Sequence, residues 1–205
     1  MPAPIDHPRL VVGYHGCDRA TVERVLLHGE DLKPSRNPWD WLGSGVYFWE
    51  QGLERAWEFA EEQRRRGKVR EPAVLGAYIH LGRCFDLTER WATRLLAEAH
   101  VDYERRLADV GEPMPRNRAA VGGDHDLLLR NLDCGVINYA MNVSDAGMGA
   151  GKLCFQSVRG VFVEGAPAFS GSRIFGKTHV QIAVRDPDVI LGCFLPRYVP
   201  EERLP

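Results

Sequence analysis

Arg9-Leu10-Val11-Val12-Gly13-Tyr14-His15-Gly16-Cys17 is the stretch from which the fold can be read. Its β-branched run suits a buried strand, so Tyr14-His15-Gly16-Cys17 falls where that strand hands over to a loop. About thirty residues later, Asn37-Pro38-Trp39-Asp40-Trp41-Leu42 leads to Gly43-Ser44-Gly45-Val46-Tyr47-Phe48. The two glycines allow a ligand to approach the backbone closely, and the aromatic strand after them offers a surface for a flat ring. Near the C-terminus, His179-Val180-Gln181-Ile182-Ala183-Val184 adds an apolar strand with a polar residue inside it.

Between these strands the pattern turns helical. Residues 18–27 carry apolar side chains at helical spacing, with Asp18 as the N-cap and Gly29 near the end. From Leu53 a second helix places Leu53, Ala56, Trp57 and Ala60 on one face, and it ends in Arg64-Arg65-Arg66-Gly67-Lys68. Cations at a helix C-terminus complement the macrodipole, so this run reads as a solvated helix end, with a phosphate landing site as the other reading. Ala73 to Leu81 forms a strand that holds His80 and extends through Cys84-Phe85-Asp86-Leu87; His80 reads as a core or edge residue. Helical composition returns over about 88–145, as an insertion with candidates starting at residues 89 and 126. The glycines at 147, 149 and 151 make a turn rather than a dinucleotide fingerprint, because no buried strand leads directly into them. Two more strands, Ser157 to Glu164 and Val189 to Leu195, complete an α+β pattern with no regular βαβ alternation.

At 205 residues, 44% hydrophobic and 26% charged, the chain suits one globular domain spanning 1–205. A formal charge of -2 exerts no global pull on polyanions, so any contact with nucleic acid must be local. No apolar run approaches the roughly 20 residues needed to cross a bilayer, and residues 1–7 lack a hydrophobic signal core, so the expectation is a cytoplasmic protein without a membrane partner. The five cysteines, Cys17, Cys84, Cys134, Cys154 and Cys193, are scattered and read as buried thiols. No clustered zinc ligands are visible.

The ordered trio His15, Tyr47 and Gln181, each in its strand context, resembles the NAD-binding core of ADP-ribosyltransferases of the poly(ADP-ribose) polymerase and diphtheria-toxin type. That family carries His, Tyr and Glu in this order, and here Gln181 stands at the glutamate position. The resemblance implies a strongly twisted pair of packed antiparallel sheets, a β-sandwich with surrounding helices. It further implies NAD as co-substrate and no metal. His15 would hydrogen-bond the adenosine ribose, the Gly16 backbone would read the nicotinamide amide, and Tyr47 would stack on the nicotinamide ring. Trp57 or Phe59 would form a second aromatic wall. The loop at 165–177 would select the modified molecule, making Phe169, Arg173 and Lys177 candidates for target contact.

Cleaving the bond between nicotinamide and ribose generates an oxocarbenium-like transition state, which a carboxylate stabilises and a glutamine amide does not. The expected function is therefore mono-ADP-ribosylation of a macromolecule, protein or nucleic acid, in a toxin or defence setting, with chain extension disfavoured. Glu164 or Glu50 are candidates to supply the missing carboxylate, although strand alternation sets Glu50 on the face opposite Tyr47 and Trp49. The alternative is a catalytically silent module that binds NAD or ADP-ribose. A third reading, 2′-phosphotransfer from RNA to NAD, would require more basic residues near His15 than Arg9 and Arg19.

Overall fold

A computed structural model describes residues 6–120 and 126–197; residues 1–5 of the N-terminal stretch read above lie outside them. In chain order, β1 (Asp6–Asp18) leads through α1 (Arg19–His28) to β2 (Val46–Glu50), α2 (Leu53–Arg65) and β3 (Pro72–Asp86). Then come α3 (Arg90–Asp109), a small ribbon of β4 (Asn117–Arg118) and β5 (Leu129–Arg130), and α4 (Asn131–Ala146). The chain returns through β6 (Ser157–Phe162), β7 (His179–Val184) and β8 (Ile190–Phe194).

The fold is α+β, as predicted, but the strands are not two separate antiparallel sheets. They form one six-stranded mixed sheet in the order β1-β2-β7-β6-β3-β8, and β1 also pairs with β3, so five of the strands close into a ring. Most pairings are antiparallel. The exception is β3 with β6, parallel over Cys84↔Ser157 to Asp86↔Arg159. That pairing is possible because the helical insertion carries the chain back to the start of β6, the long crossover a parallel pair needs. The insertion itself differs from expectation, since its second helix begins at Asn131 rather than 126. Asn117 explains the shift: its side chain accepts from the Leu132 N–H and donates to Asp133, tying the ribbon to the first turn of α4.

Alternation along β2 decides how the sheet is covered. Val46 and Phe48 point into the ring, where they pack with Val11, Ile79, Leu81 and Ile182. Tyr47 points outward into a second cluster that joins Leu42, Phe85, Val158 and Ala183 to Ile137, Ala140 and Met141 of α4. Trp49, also outward, packs with Ala56 of α2 and Val74 of β3. Fully burying a side chain such as Phe48 or Phe85, both 0% exposed, contributes about 1.5–3 kcal/mol. The helices α2 and α4 are thus held by the outward residues, while the inward residues pack on one another inside the ring.

Local signals account for the helix ends. Asp18 caps α1 by accepting from the Ala20 N–H at 3.1 Å, and Gly29, at φ 66°, closes it with N–H bonds to Arg24 and Val25 carbonyls. The basic run after α2 is a solvated helix end, with Arg64 paired to Glu61 and Arg66 to Glu62. Among the described residues, no helix is long and apolar enough to cross a membrane.

Candidate active site

The β1–β2 ladder contains two registered pairs, Gly13↔Glu50 and Tyr14↔Trp49, and then stops. Beyond it β1 stays with β3, through His15↔Leu75 and Gly16↔Val74, while β2 stays with β7, through Tyr47↔Ala183. The two strands therefore splay where the sequence places His15-Gly16 and Tyr47. A backbone carbonyl left without a ladder partner needs another donor, and His15 Nδ1 meets the Tyr47 carbonyl at 2.8 Å. A carbonyl accepts only, so Nδ1 carries the proton and Nε2 keeps a lone pair. Burial pushes the His15 pKa below its ordinary value, partly opposed by the Tyr47 bond, which leaves a neutral imidazole with a free acceptor.

His15 also lines a cavity of about 180 Å³ with Thr21, Arg24 and Val25 of α1 and Asp31, Leu32 and Lys33 of the following loop. That is smaller than the roughly 300–1,000 Å³ that takes a drug-sized ligand, so the cavity suits a small group rather than a whole ligand of that size. Arg24 is paired with Glu30, which also lines the cavity, at 3.4 Å.

On the outer face, Gln181 is registered opposite Trp49 on one side and Gly160 on the other. The Trp41 indole N–H donates to its side-chain oxygen at 2.6 Å. Gly160 makes room for this contact, because a Cβ there would lie 2.7 Å from the Trp41 ring. An aromatic belt continues around the glutamine: Trp41 on Phe162 at 5.1 Å, Phe162 on His179 at 5.5 Å, His179 near Trp49 at 6.2 Å, and Trp49 on Phe59 at 5.0 Å. The Arg130 guanidinium lies 4.9 Å from the Phe162 ring centre, within cation–π range.

The remaining predicted residues have definite positions. Tyr47 is half-buried, and its hydroxyl accepts from the Leu42 N–H at 2.9 Å and donates to the Gly43 carbonyl at 2.8 Å, fastening the loop before β2. Gly16 lies beneath α2, so tightly that a Cβ would fall 2.1 Å from the Ala56 carbonyl oxygen. Trp57 packs near Tyr14 and Leu53 on the inner side of that helix, whereas Phe59 is exposed and leans on Trp49. Phe169, Arg173 and Lys177 are all exposed on the 165–178 excursion, which a Pro167↔Phe175 bridge braces.

Of the two candidate carboxylates, Glu50 does not fit a catalytic role. It lies on the opposite face, as alternation predicts, and both of its oxygens are held by Arg159 at 2.6 and 3.2 Å, with Asp86 completing a buried triad. Glu164 is nearer, bonded to Arg55 of α2 at 2.8 Å and 3.9 Å from His179 Nδ1. Burial raises its pKa, against the pull of Arg55 and Lys177.

Not every member of this site is marked in the sequence. Trp41 and Arg130 come from loops and helix ends with no local signature. His179 did carry a signal, since a residue two positions before Gln181 shares its strand face. No three His, Cys, Asp or Glu side chains among the described residues gather as a metal site would require.

No family model and no solved structure matches the chain. It is similar to an uncharacterized protein of Methanocaldococcus jannaschii, 32% identical over 79 residues, a match covering 37% of this chain and 36% of the archaeal protein. The chain therefore spans about a third of that relative's length.

Proposed function

We propose that the protein is an NAD-dependent mono-ADP-ribosyltransferase whose acceptor is a macromolecule. The observation that carries this reading is the splay of β1 from β2. It puts a neutral His15 with a free Nε2 beside one small cavity on the Phe48 side of the sheet, while Gln181 stands in an aromatic belt on the outer face of β7. In this reading the His15 cavity takes the adenosine end, with Nε2 accepting from a ribose hydroxyl. The α2 aromatics Trp57 and Phe59 receive the nicotinamide end, since Gly16 itself is covered by Ala56 of α2. Tyr47 acts first as the clamp that fixes the Leu42-Gly43 loop over the cleft, its ring contributing a wall rather than a free platform.

When the glycosidic bond breaks, its electron pair leaves on the nicotinamide nitrogen and positive charge develops on the ribose. Gln181 accepts the Trp41 N–H through its carbonyl, so its amide N–H groups are left to bind rather than to neutralise. That same contact favours the silent NAD-binding module as the second reading. Incubating cell extract with labelled NAD and dividing the product between protease and nuclease tests both. Label that enters macromolecule and leaves with one of the two treatments supports transfer and identifies the acceptor class; NAD binding with no label transferred supports the module.

A further inference from the structure

We propose that His179 is the base that takes the acceptor's proton, and that the acceptor is consequently a neutral hydroxyl or N–H rather than a carboxylate. This rests on the transferase reading of the same site and names the nucleophile class within it.

His179 and Gln181 lie on one face of β7, and Phe162, registered opposite His179, stacks on its ring at an interplanar angle of 26°. The imidazole Nδ1 meets the Lys177 carbonyl at 2.7 Å. Because a carbonyl offers no hydrogen, Nδ1 must donate, and the lone pair resides on Nε2. That atom is buried and has no hydrogen-bond partner among the described residues, and the same holds for the indole nitrogen of the adjacent Trp49. A buried polar atom left unpaired keeps the full penalty of its lost hydration. Here an orphan acceptor and an orphan donor occur on neighbouring rings beside Gln181, which itself cannot act as a base. A histidine serving only to anchor the turn before β7 would need Nδ1 alone.

The charged groups around the ring suit this role. Arg55 and Glu58 face it from α2, Glu164 lies 3.9 Å from Nδ1, and Arg130 lies over the Phe162 ring. Burial lowers the His179 pKa, with Arg55 adding to the effect and the Lys177 bond and Glu58 opposing it, so the base form predominates at neutral pH. In the transfer step the ribose C1′–nicotinamide bond breaks and its pair leaves on neutral nicotinamide. The acceptor oxygen or nitrogen forms the new bond to C1′ with its own lone pair, and its proton passes to His179 Nε2 and then to solvent. A carboxylate acceptor has no proton to surrender and would gain nothing from this base.

The test uses NAD with water as the simplest protic acceptor, and azide as an anionic nucleophile that needs no base. His179→Asn keeps an N–H for the Lys177 carbonyl and removes Nε2. Expected are NAD affinity within about twofold of wild type and nicotinamide release down about a hundredfold, the lower end of what one positioned base contributes. The acidic limb of the pH–rate profile should flatten, and azide should restore turnover as azido-ADP-ribose. Wild-type release rates in the variant, an unchanged acidic limb, or no azide rescue would each overturn the base while leaving the transferase reading intact. A wild-type protein that releases no nicotinamide with water, azide or cell extract removes the reading itself and the base with it. Independently of folding of the variant, nitrogen NMR of wild-type His179 should show the proton on Nδ1, and a proton on Nε2 would refute the proposal.

Discussion

Gly16→Ala should disturb the close backbone approach of α2 to β1. A Cβ at Gly16 would lie 2.1 Å from the Ala56 carbonyl oxygen and 3.0 Å from the carbonyl carbon, with the Ala60 nitrogen at 3.3 Å. Ordinary contact begins near 3.4 Å, so α2 would have to retreat by about 3.4 − 2.1 = 1.3 Å. The obstacle is helix backbone, not the flexible end of a side chain, so the strain cannot be relieved by a rotamer change. Overpacking of this kind costs about 1–3 kcal/mol, and for a chain of 205 residues that is a fall in Tm of about 2–12 °C. Movement of α2 also displaces Trp57 and Phe59, so NAD affinity should fall with stability. Gly192→Ala is the control, because a Cβ there meets nothing within 4 Å. Urea and thermal unfolding of the two variants should separate them clearly. If Gly16→Ala unfolded like Gly192→Ala, the close packing of α2 on β1 would be wrong.

Arg159→Met leaves Glu50 and Asp86 facing each other without their shared cation, side chains only 14% and 4% exposed. A loss of about 3–5 kcal/mol follows, visible as a lower urea midpoint, and adding Glu50→Gln should recover part of it. Stability should also fall as pH drops from 7.5 to 5.5. His15 and His179 have folded pKa values below the ordinary 6.5, so from about there downward the unfolded chain takes up protons that the folded one refuses. Glu164, with a raised folded pKa, works in the opposite direction nearer pH 4.5; a double His15→Asn, His179→Asn variant should therefore show a shallower drop, and an equal slope would refute the sign. Gln181→Glu places a carboxylate where positive charge develops while still accepting from Trp41, so nicotinamide release should rise at least severalfold at similar NAD affinity; no rise in release would place the catalytic electrostatics elsewhere.

What was legible in the sequence follows the range of each interaction. Asp18 and Gly29 delimit α1 through bonds within a few residues, and the alternation of Val46-Tyr47-Phe48-Trp49-Glu50 separates the two sheet faces, including the turning away of Glu50. The strand ends bearing His15, Tyr47 and Gln181 were visible for the same reason. Contacts between distant segments leave no local trace. Trp41 reaches Gln181 across 140 residues, and Arg159 reaches Glu50 across 109. The parallel β3–β6 pairing is likewise invisible, since an apolar strand does not declare its neighbour. Tyr47 is the instructive case: its strand context points to a ligand platform, while its hydroxyl satisfies two backbone groups of the Leu42-Gly43 turn, a role set by loop geometry.

The most direct test of an NAD-consuming cleft between β1 and β2 is nicotinamide release from NAD by the purified protein, with an extract of its own cells as the source of acceptor, compared between wild type and His15→Ala. Wild type should release nicotinamide, and the variant, folded by circular dichroism, should release at least tenfold less because the Tyr47 carbonyl and the nucleotide lose the same imidazole. No release from wild type, or equal release from both, would contradict a catalytic site at the splayed strand ends.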